Sequence, residues 1–176
     1  MKESVFVIGG CRSGKSSYAL KLAEEMYGNK RAFIATCVPH DEEMETRIER
    51  HKQERSPSWE TLETPVQIAE IIDAYSPKYD VILVDCLTLW ISNLLFDDNE
   101  LEEVSGYIQR LTQSIKTAQC PVILVSNEVG TGIVPDNKIA RFFRDVVGLA
   151  NQHVAKTCDK VIWMAAGIPV TIKGGN

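Results

Sequence analysis

The sequence lacks any run of basic residues. Its 19 Lys and Arg stand against 24 Asp and Glu, and the net charge of −5 is spread along mixed-sign stretches. A nucleic-acid partner needs a cationic track to neutralise its backbone, so none is expected. No C-x-x-C pair occurs among Cys11, Cys37, Cys86, Cys120 and Cys158, which are odd in number and widely spaced. That excludes the usual zinc and redox-dithiol patterns and points to reduced thiols in a cytoplasmic protein. Apolar runs stay short. Val5-Phe6-Val7-Ile8 is well below a signal-peptide core, and no later run approaches a membrane span. With no internal repeat, low-complexity segment or interdomain linker, residues 1–176 are expected to form one domain, and 44% hydrophobic residues suffice for its core.

What is present is an alternation of short β-branched runs with helical patterns. The runs are Val5-Phe6-Val7-Ile8, Ala32-Phe33-Ile34-Ala35, Val81-Ile82-Leu83-Val84, Val122-Ile123-Leu124-Val125 and Val161-Ile162-Trp163-Met164. They are continuous rather than alternating, as strands of a parallel sheet buried on both faces require, so the class is α/β. One helix is predicted from the glycine-rich segment to about Gly28 through Ala19, Leu22, Ala23 and Met26. A second is predicted from the capping pattern Thr64-Pro65-Val66-Gln67 with Ile68, Ile71 and Ile72 as its apolar stripe. Leu101, Val104, Ile108, Leu111 and Ile115 mark a third. A fourth, roughly Asn137 to Thr157, is expected to pack through Ile139, Phe142, Phe143, Val146 and Val154. Gly167-Ile168-Pro169 separates Val161–Met164 from Val170–Lys173 as the turn of an edge hairpin.

Gly9-Gly10-Cys11-Arg12-Ser13-Gly14-Lys15-Ser16 matches G-x-x-x-x-G-K-S, with a buried strand before it and an amphipathic helix after it. Glycines let backbone N–H groups fold around phosphates, the helix N-terminus adds positive potential, Lys15 reaches the β/γ oxygens and Ser16 can ligate Mg²⁺. Asp85 ends an apolar strand, where such an enzyme needs a carboxylate for the metal; a strand-end cap is the other reading. In 41–55, acids precede bases as a helix dipole prefers, and His51 sits among Arg47, Lys52 and Arg55. The cluster would suit a triphosphate, but by spacing alone a solvated charged helix with an incidental histidine is the favoured reading. Ser126-Asn127-Glu128-Val129-Gly130-Thr131-Gly132 follows a buried strand, as either a ligand-binding crevice or a simple loop. Phe142-Phe143-Arg144-Asp145 reads as core with a charged edge, and Trp59 and Trp90 as packing residues.

Together these segments resemble the bifunctional adenosylcobinamide kinase/adenosylcobinamide-phosphate guanylyltransferase family. The glycine segment, Phe33-Ile34-Ala35-Thr36, Asp41 to Arg55, Val84-Asp85-Cys86-Leu87-Thr88-Leu89-Trp90 with Asn93-Leu94-Leu95, Ser126-Asn127-Glu128-Val129-Gly130, Gly132-Ile133-Val134-Pro135, Arg141 to Asp145 and Asn151-Gln152 match in order across nearly the whole chain. The resemblance implies a P-loop NTPase-type three-layer α/β/α fold with a mostly parallel, recombinase-like sheet, assembled as a homotrimer. It implies phosphorylation of adenosylcobinamide by GTP or ATP, then transfer of GMP from GTP to adenosylcobinamide phosphate, with Mg²⁺ on Ser16 and Asp85. The position matching the histidine that carries GMP is His51, catalytic together with Lys15; a neutral imidazole attacking the α-phosphorus splits one displacement into two. Implied nucleotide contacts are Gly9, Gly10, Cys11, Arg12, Ser13, Gly14, Lys15, Ser16, Ile34, Ala35, Thr36, Lys52, Gln53, Glu54, Arg55, Glu63 and Asp85. Cys11 departs from the pattern, standing where relatives are expected to carry a small residue such as alanine. The rival readings are a single-activity small-molecule kinase and a nucleotide-switched regulatory protein.

Overall fold

A computed structural model describes residues 2–39, 56–96 and 101–175. The β-branched runs become strands, since branched side chains pack well on a pleated, buried surface. In chain order the elements are β1 (Ser4–Gly9), α1 (Lys15–Met26), β2 (Arg31–Ala35), β3 (Trp59–Glu63), α2 (Ile68–Tyr75), β4 (Val81–Asp85), α3 (Leu87–Phe96), α4 (Leu101–Thr117), β5 (Val122–Asn127), α5 (Lys138–Thr157), β6 (Lys160–Ala165) and β7 (Ile168–Lys173). The seven strands form one sheet in the order β3-β2-β4-β5-β1-β6-β7. Every neighbouring pair is parallel except the terminal β6–β7 hairpin.

Successive side chains of a strand face opposite sides, so each run feeds two cores. Phe6, Ile34, Ile82, Val84 and Leu124 pack under α2 to α5, against Ile72, Trp90, Leu111 and Val147. Val5, Val7, Leu83, Val125 and Ile162 pack on the other side against Ala19 and Ala23 of α1. The result is the expected P-loop NTPase-type α/β/α layering. Each fully buried Ile or Leu contributes about 1.5–3 kcal/mol, so these two layers carry the sheet. Trp90 and Trp59 are packing residues, as expected. The Trp90 indole N–H donates to the Val66 carbonyl at 2.8 Å. Trp59 meets Phe33 edge to face, ring centroids 6.2 Å apart.

Five local points differ from expectation. The Thr64-Pro65-Val66-Gln67 segment is not a capping box; α2 starts at Ile68, and Gln67 makes no side-chain cap. Thr64 is instead claimed by the sheet, its N–H bonding the Ala35 carbonyl at 3.0 Å. Trp59–Glu63 is a strand the apolar pattern did not reveal, because an edge strand needs no continuous apolar run. Leu87–Phe96 is a helix hidden for the opposite reason: it is so apolar that no stripe shows, with Leu87, Trp90, Ile91 and Leu94 buried. Ile139 and Phe142 do not join the core; they are 78% and 38% exposed, and α5 packs through Val146, Val147, Ala150 and Val154. The first turns of α5 are turned to a loop rather than to the sheet. The hairpin turn also falls slightly earlier than expected, at Ala166 and Gly167, with Ile168 and Pro169 already in β7.

Candidate active site

Because the strands run parallel, their C-terminal ends share one edge. There lie Glu63 of β3, Ala35 of β2, Asp85 of β4, Asn127 of β5 and Gly9 of β1. The glycine segment folds between β1 and α1. A Cβ on Gly9 would lie 2.5 Å from the Met164 carbonyl oxygen and 2.9 Å from Ser13 Oγ, so this position admits only glycine. Gly14 takes φ 87°, a left-handed conformation that glycine adopts freely. The loop is closed by Ser13 N–H to the Gly10 carbonyl at 3.3 Å and tied to the hairpin by Gly167 N–H to the Ser13 carbonyl at 3.0 Å.

Lys15 opens α1, whose first N–H groups have no acceptor within the helix and give this end its positive potential. The Lys15 side chain is buried, and Nζ donates to the Gly10 carbonyl at 2.5 Å and to Ser13 Oγ at 3.4 Å. The ammonium is thereby held over the loop. Ser16 follows on the first turn, half-buried, while Cys11 and Arg12 are exposed. α1 packs across β1, β5 and β4, so loop and Asp85 belong to one rigid unit.

The strand ends beside the loop are knitted together. Thr36 is fully buried; its hydroxyl donates to the Cys86 carbonyl and accepts from the Cys86 N–H, both at 2.8 Å. Its carbonyl takes the Asn93 amide at 2.7 Å, and the same amide reaches the Pro65 carbonyl at 3.0 Å. Ile34 is also fully buried, so Ala35 is the part of 34–36 that stays half-open. Burial and the neighbouring Asp85 charge push the Cys86 thiol up to about 12, leaving it neutral and unreactive.

At β5, the Asn127 N–H donates to Thr88 Oγ1 at 2.8 Å and its carbonyl accepts from Asn151 Nδ2 at 3.1 Å. Thr88, Asn93 and Asn151 were not singled out as site residues. The signal was there for two of them: isolated polar residues in the otherwise apolar Leu87–Phe96. His51, Lys52, Gln53, Glu54 and Arg55 lie outside the described residues. Of the expected site residues that are described, Gly9 to Ser16 and Asp85 share the same sheet edge, and Glu63 stands farthest away on the outer strand.

A glycine loop between a buried strand and a helix, a lysine folded over it, and a carboxylate at a nearby strand end define a P-loop nucleotide-using α/β enzyme. The fold is shared with the flagellar accessory protein FlaH of Methanocaldococcus jannaschii, at 13% identity and TM-score 0.54, covering 99% of this chain and 81% of that one. It is shared too with a Pyrococcus horikoshii protein, at 10% identity and TM-score 0.60, over 99% and 87%.

Sequence similarity is more specific. The chain belongs to the cobinamide kinase/cobinamide phosphate guanyltransferase family, matching it over residues 5–172. It is 38% identical to the bifunctional adenosylcobalamin biosynthesis protein CobP of Pseudomonas aeruginosa, over 96% of both chains. It is equally 38% identical to the bifunctional protein CobU of Escherichia coli, over 96% of this chain and 99% of that one.

Proposed function

We propose that this enzyme phosphorylates adenosylcobinamide with GTP or ATP and then transfers GMP from GTP to the new phosphate through a guanylyl group carried on His51. The products are adenosylcobinamide-GDP and pyrophosphate. As a member of its family it is a kinase and guanylyltransferase of cobalamin biosynthesis. The observation that carries the nucleotide chemistry is the Lys15 ammonium held over the Gly9–Ser16 loop at a helix N-terminus.

In the kinase step the loop's N–H groups and Lys15 bind and orient the triphosphate and offset charge gathering on the transferred group. Ser16 and Asp85 are hard oxygen donors, few in number, which suits Mg²⁺: that ion keeps several waters and takes phosphate oxygens. When bound, Mg²⁺ would neutralise phosphate charge. Lys52 and Arg55, flanking His51, would do the same for the guanylyl transfer. We infer further a single catalytic domain, from a sequence with no linker or repeat, a cytoplasmic location, from the widely spaced cysteines, and a homotrimer, from the family resemblance. No helix among the described residues is long and apolar enough to cross a membrane.

The test is to incubate the protein with Mg²⁺ and GTP labelled at the α-phosphate and look for protein-bound label stable to alkali and released by acid. Label that vanishes in His51→Ala supports the histidyl intermediate. A protein that binds GTP but takes no label would leave a single-activity kinase as the better reading.

A further inference from the structure

The rim segment after β5 is built into the phosphate loop, yet neither Lys15 nor the metal donors explain it. β5 lies between β1, which carries the loop, and β4, which carries Asp85. Asn127 pairs with Gly9, and the next residue, Glu128, donates its N–H to the Gly9 carbonyl at 2.9 Å. One oxygen of the Glu128 carboxylate, Oε1, accepts the Gly130 N–H at 2.5 Å. The Gly130 carbonyl in turn accepts from Arg144 Nη2 at 2.7 Å, and Arg144 Nη1 reaches the Ile133 carbonyl at 3.0 Å. Arg141 fastens the rest of the segment through the Pro135 and Asp136 carbonyls at 2.8 and 2.7 Å. A Cβ on Gly130 would lie 2.7 Å from Glu128 Oε1, so any larger residue there would push the carboxylate off this N–H.

This chain of contacts sets the Glu128 backbone beside the first residue of the phosphate loop and holds its carboxylate on the Gly130 N–H. Of the carboxylates at the C-terminal ends of the described strands, Glu63 is four strands from β1 and Asp85 two, whereas Glu128 follows the strand next to β1. A carboxylate has room for several donors, so the bond to Gly130 leaves acceptor capacity. Phosphorylating an alcohol releases a proton, and a positioned carboxylate is suited to take it. Resting on the kinase reading above, we propose that Glu128 accepts the proton of the acceptor hydroxyl during phosphoryl transfer, with Arg144 the positioning residue that holds its loop. The hydroxyl oxygen forms the new bond to the γ-phosphorus, its proton passes to the Glu128 carboxylate, and the bond from the γ-phosphorus to the β–γ bridging oxygen breaks. The nucleoside diphosphate leaves with that electron pair.

The two half-reactions separate this role from a turn cap, because GMP transfer to an existing phosphate involves no alcohol proton. Glu128→Gln keeps an oxygen for the Gly130 N–H but cannot take a proton. Phosphorylation of cobinamide by ATP would be measured beside GMP transfer from GTP to supplied cobinamide phosphate. Glu128→Gln is expected to lower kinase kcat by about 100-fold or more with little change in nucleotide KM, while GMP transfer loses far less. Arg144→Ala is expected to lower kinase kcat about 10-fold, with partial recovery in Arg144→Lys, which keeps the charge but not the two-pronged grip. A near-normal kinase kcat in Glu128→Gln, or an equal fall in both half-reactions, would reduce Glu128 to a loop cap and overturn the proposal. A wild-type protein with no kinase turnover would sink the functional reading, and the Glu128 role with it.

Discussion

The two edges of the sheet are built differently. At the edge where the parallel strands begin, polar groups close on one another. Asp159 Oδ2 takes both the N–H and the hydroxyl of Ser4, at 2.8 and 2.7 Å, and the Ser4 hydroxyl accepts the Asp159 N–H at 3.0 Å. Lys30 and Asp80 exchange bonds at 2.9 and 2.7 Å, and Lys173 Nζ caps the end of α5 through the Ala155, Lys156 and Cys158 carbonyls. At the edge where the strands end, bonding instead holds backbone in shapes that serve something else: a glycine loop, a lysine bent over it, a carboxylate on a stapled rim. One edge latches the fold, and the other holds chemistry.

The sharpest break of that contrast is Lys15→Ala. It should cut both nucleotide-dependent reactions by about 10²–10³-fold while circular dichroism stays native, because the ammonium serves the phosphates. Thr36→Val tests a residue on the chemical edge that works like the latching edge. It leaves the buried Cys86 N–H without its acceptor, and urea unfolding should show a loss of about 1–3 kcal/mol. Thiol labelling sharpens the comparison more gently. Cys11, exposed on the loop, should react first and be shielded by nucleotide. Cys86, Cys120 and Cys158, raised to about 12, 11 and 12 chiefly by burial, should not react in the folded protein. A nucleotide-insensitive Cys11 would contradict the placement of the ligand.

The smallest effect belongs to Asp159. The Ser4 backbone and side-chain bonds hold its carboxyl below the ordinary 3.8. A depressed folded value contributes stability that is complete above the unfolded value and is lost as pH falls through the folded one. The stability gap between wild type and Asp159→Asn should therefore be present at neutral pH and close below about pH 3.8, read by urea melts across pH. Exposure and screening keep it slight.

These contrasts also explain what the sequence made legible. Val5 to Ile8, Val81 to Val84 and Val122 to Val125 announced themselves because strands buried on both faces must be continuously apolar. The glycine loop was legible because its chemistry is local, eight consecutive residues. Trp59–Glu63 and Leu87–Phe96 escaped because an edge strand carries no such run and a helix apolar on every face shows no period. Thr36, with its side chain turned to Cys86, and the grip of Arg144 on the Gly130 carbonyl are made by approach between separate segments, which spacing does not encode. Ile139 and Phe142 misled for the same reason: helical period marks a stripe, while the neighbouring elements decide where along it the core ends.

The bond from Gly167 to Ser13 gives the loop a history as well as a shape. A chain leaving the ribosome presents Ser13 early and Gly167 late, and β1 waits for β5 and β6, its partners on either side. Such non-local pairing folds slowly. The nascent enzyme must therefore complete almost its entire sheet before a nucleotide can find it, and nucleotide can steady only the finished molecule.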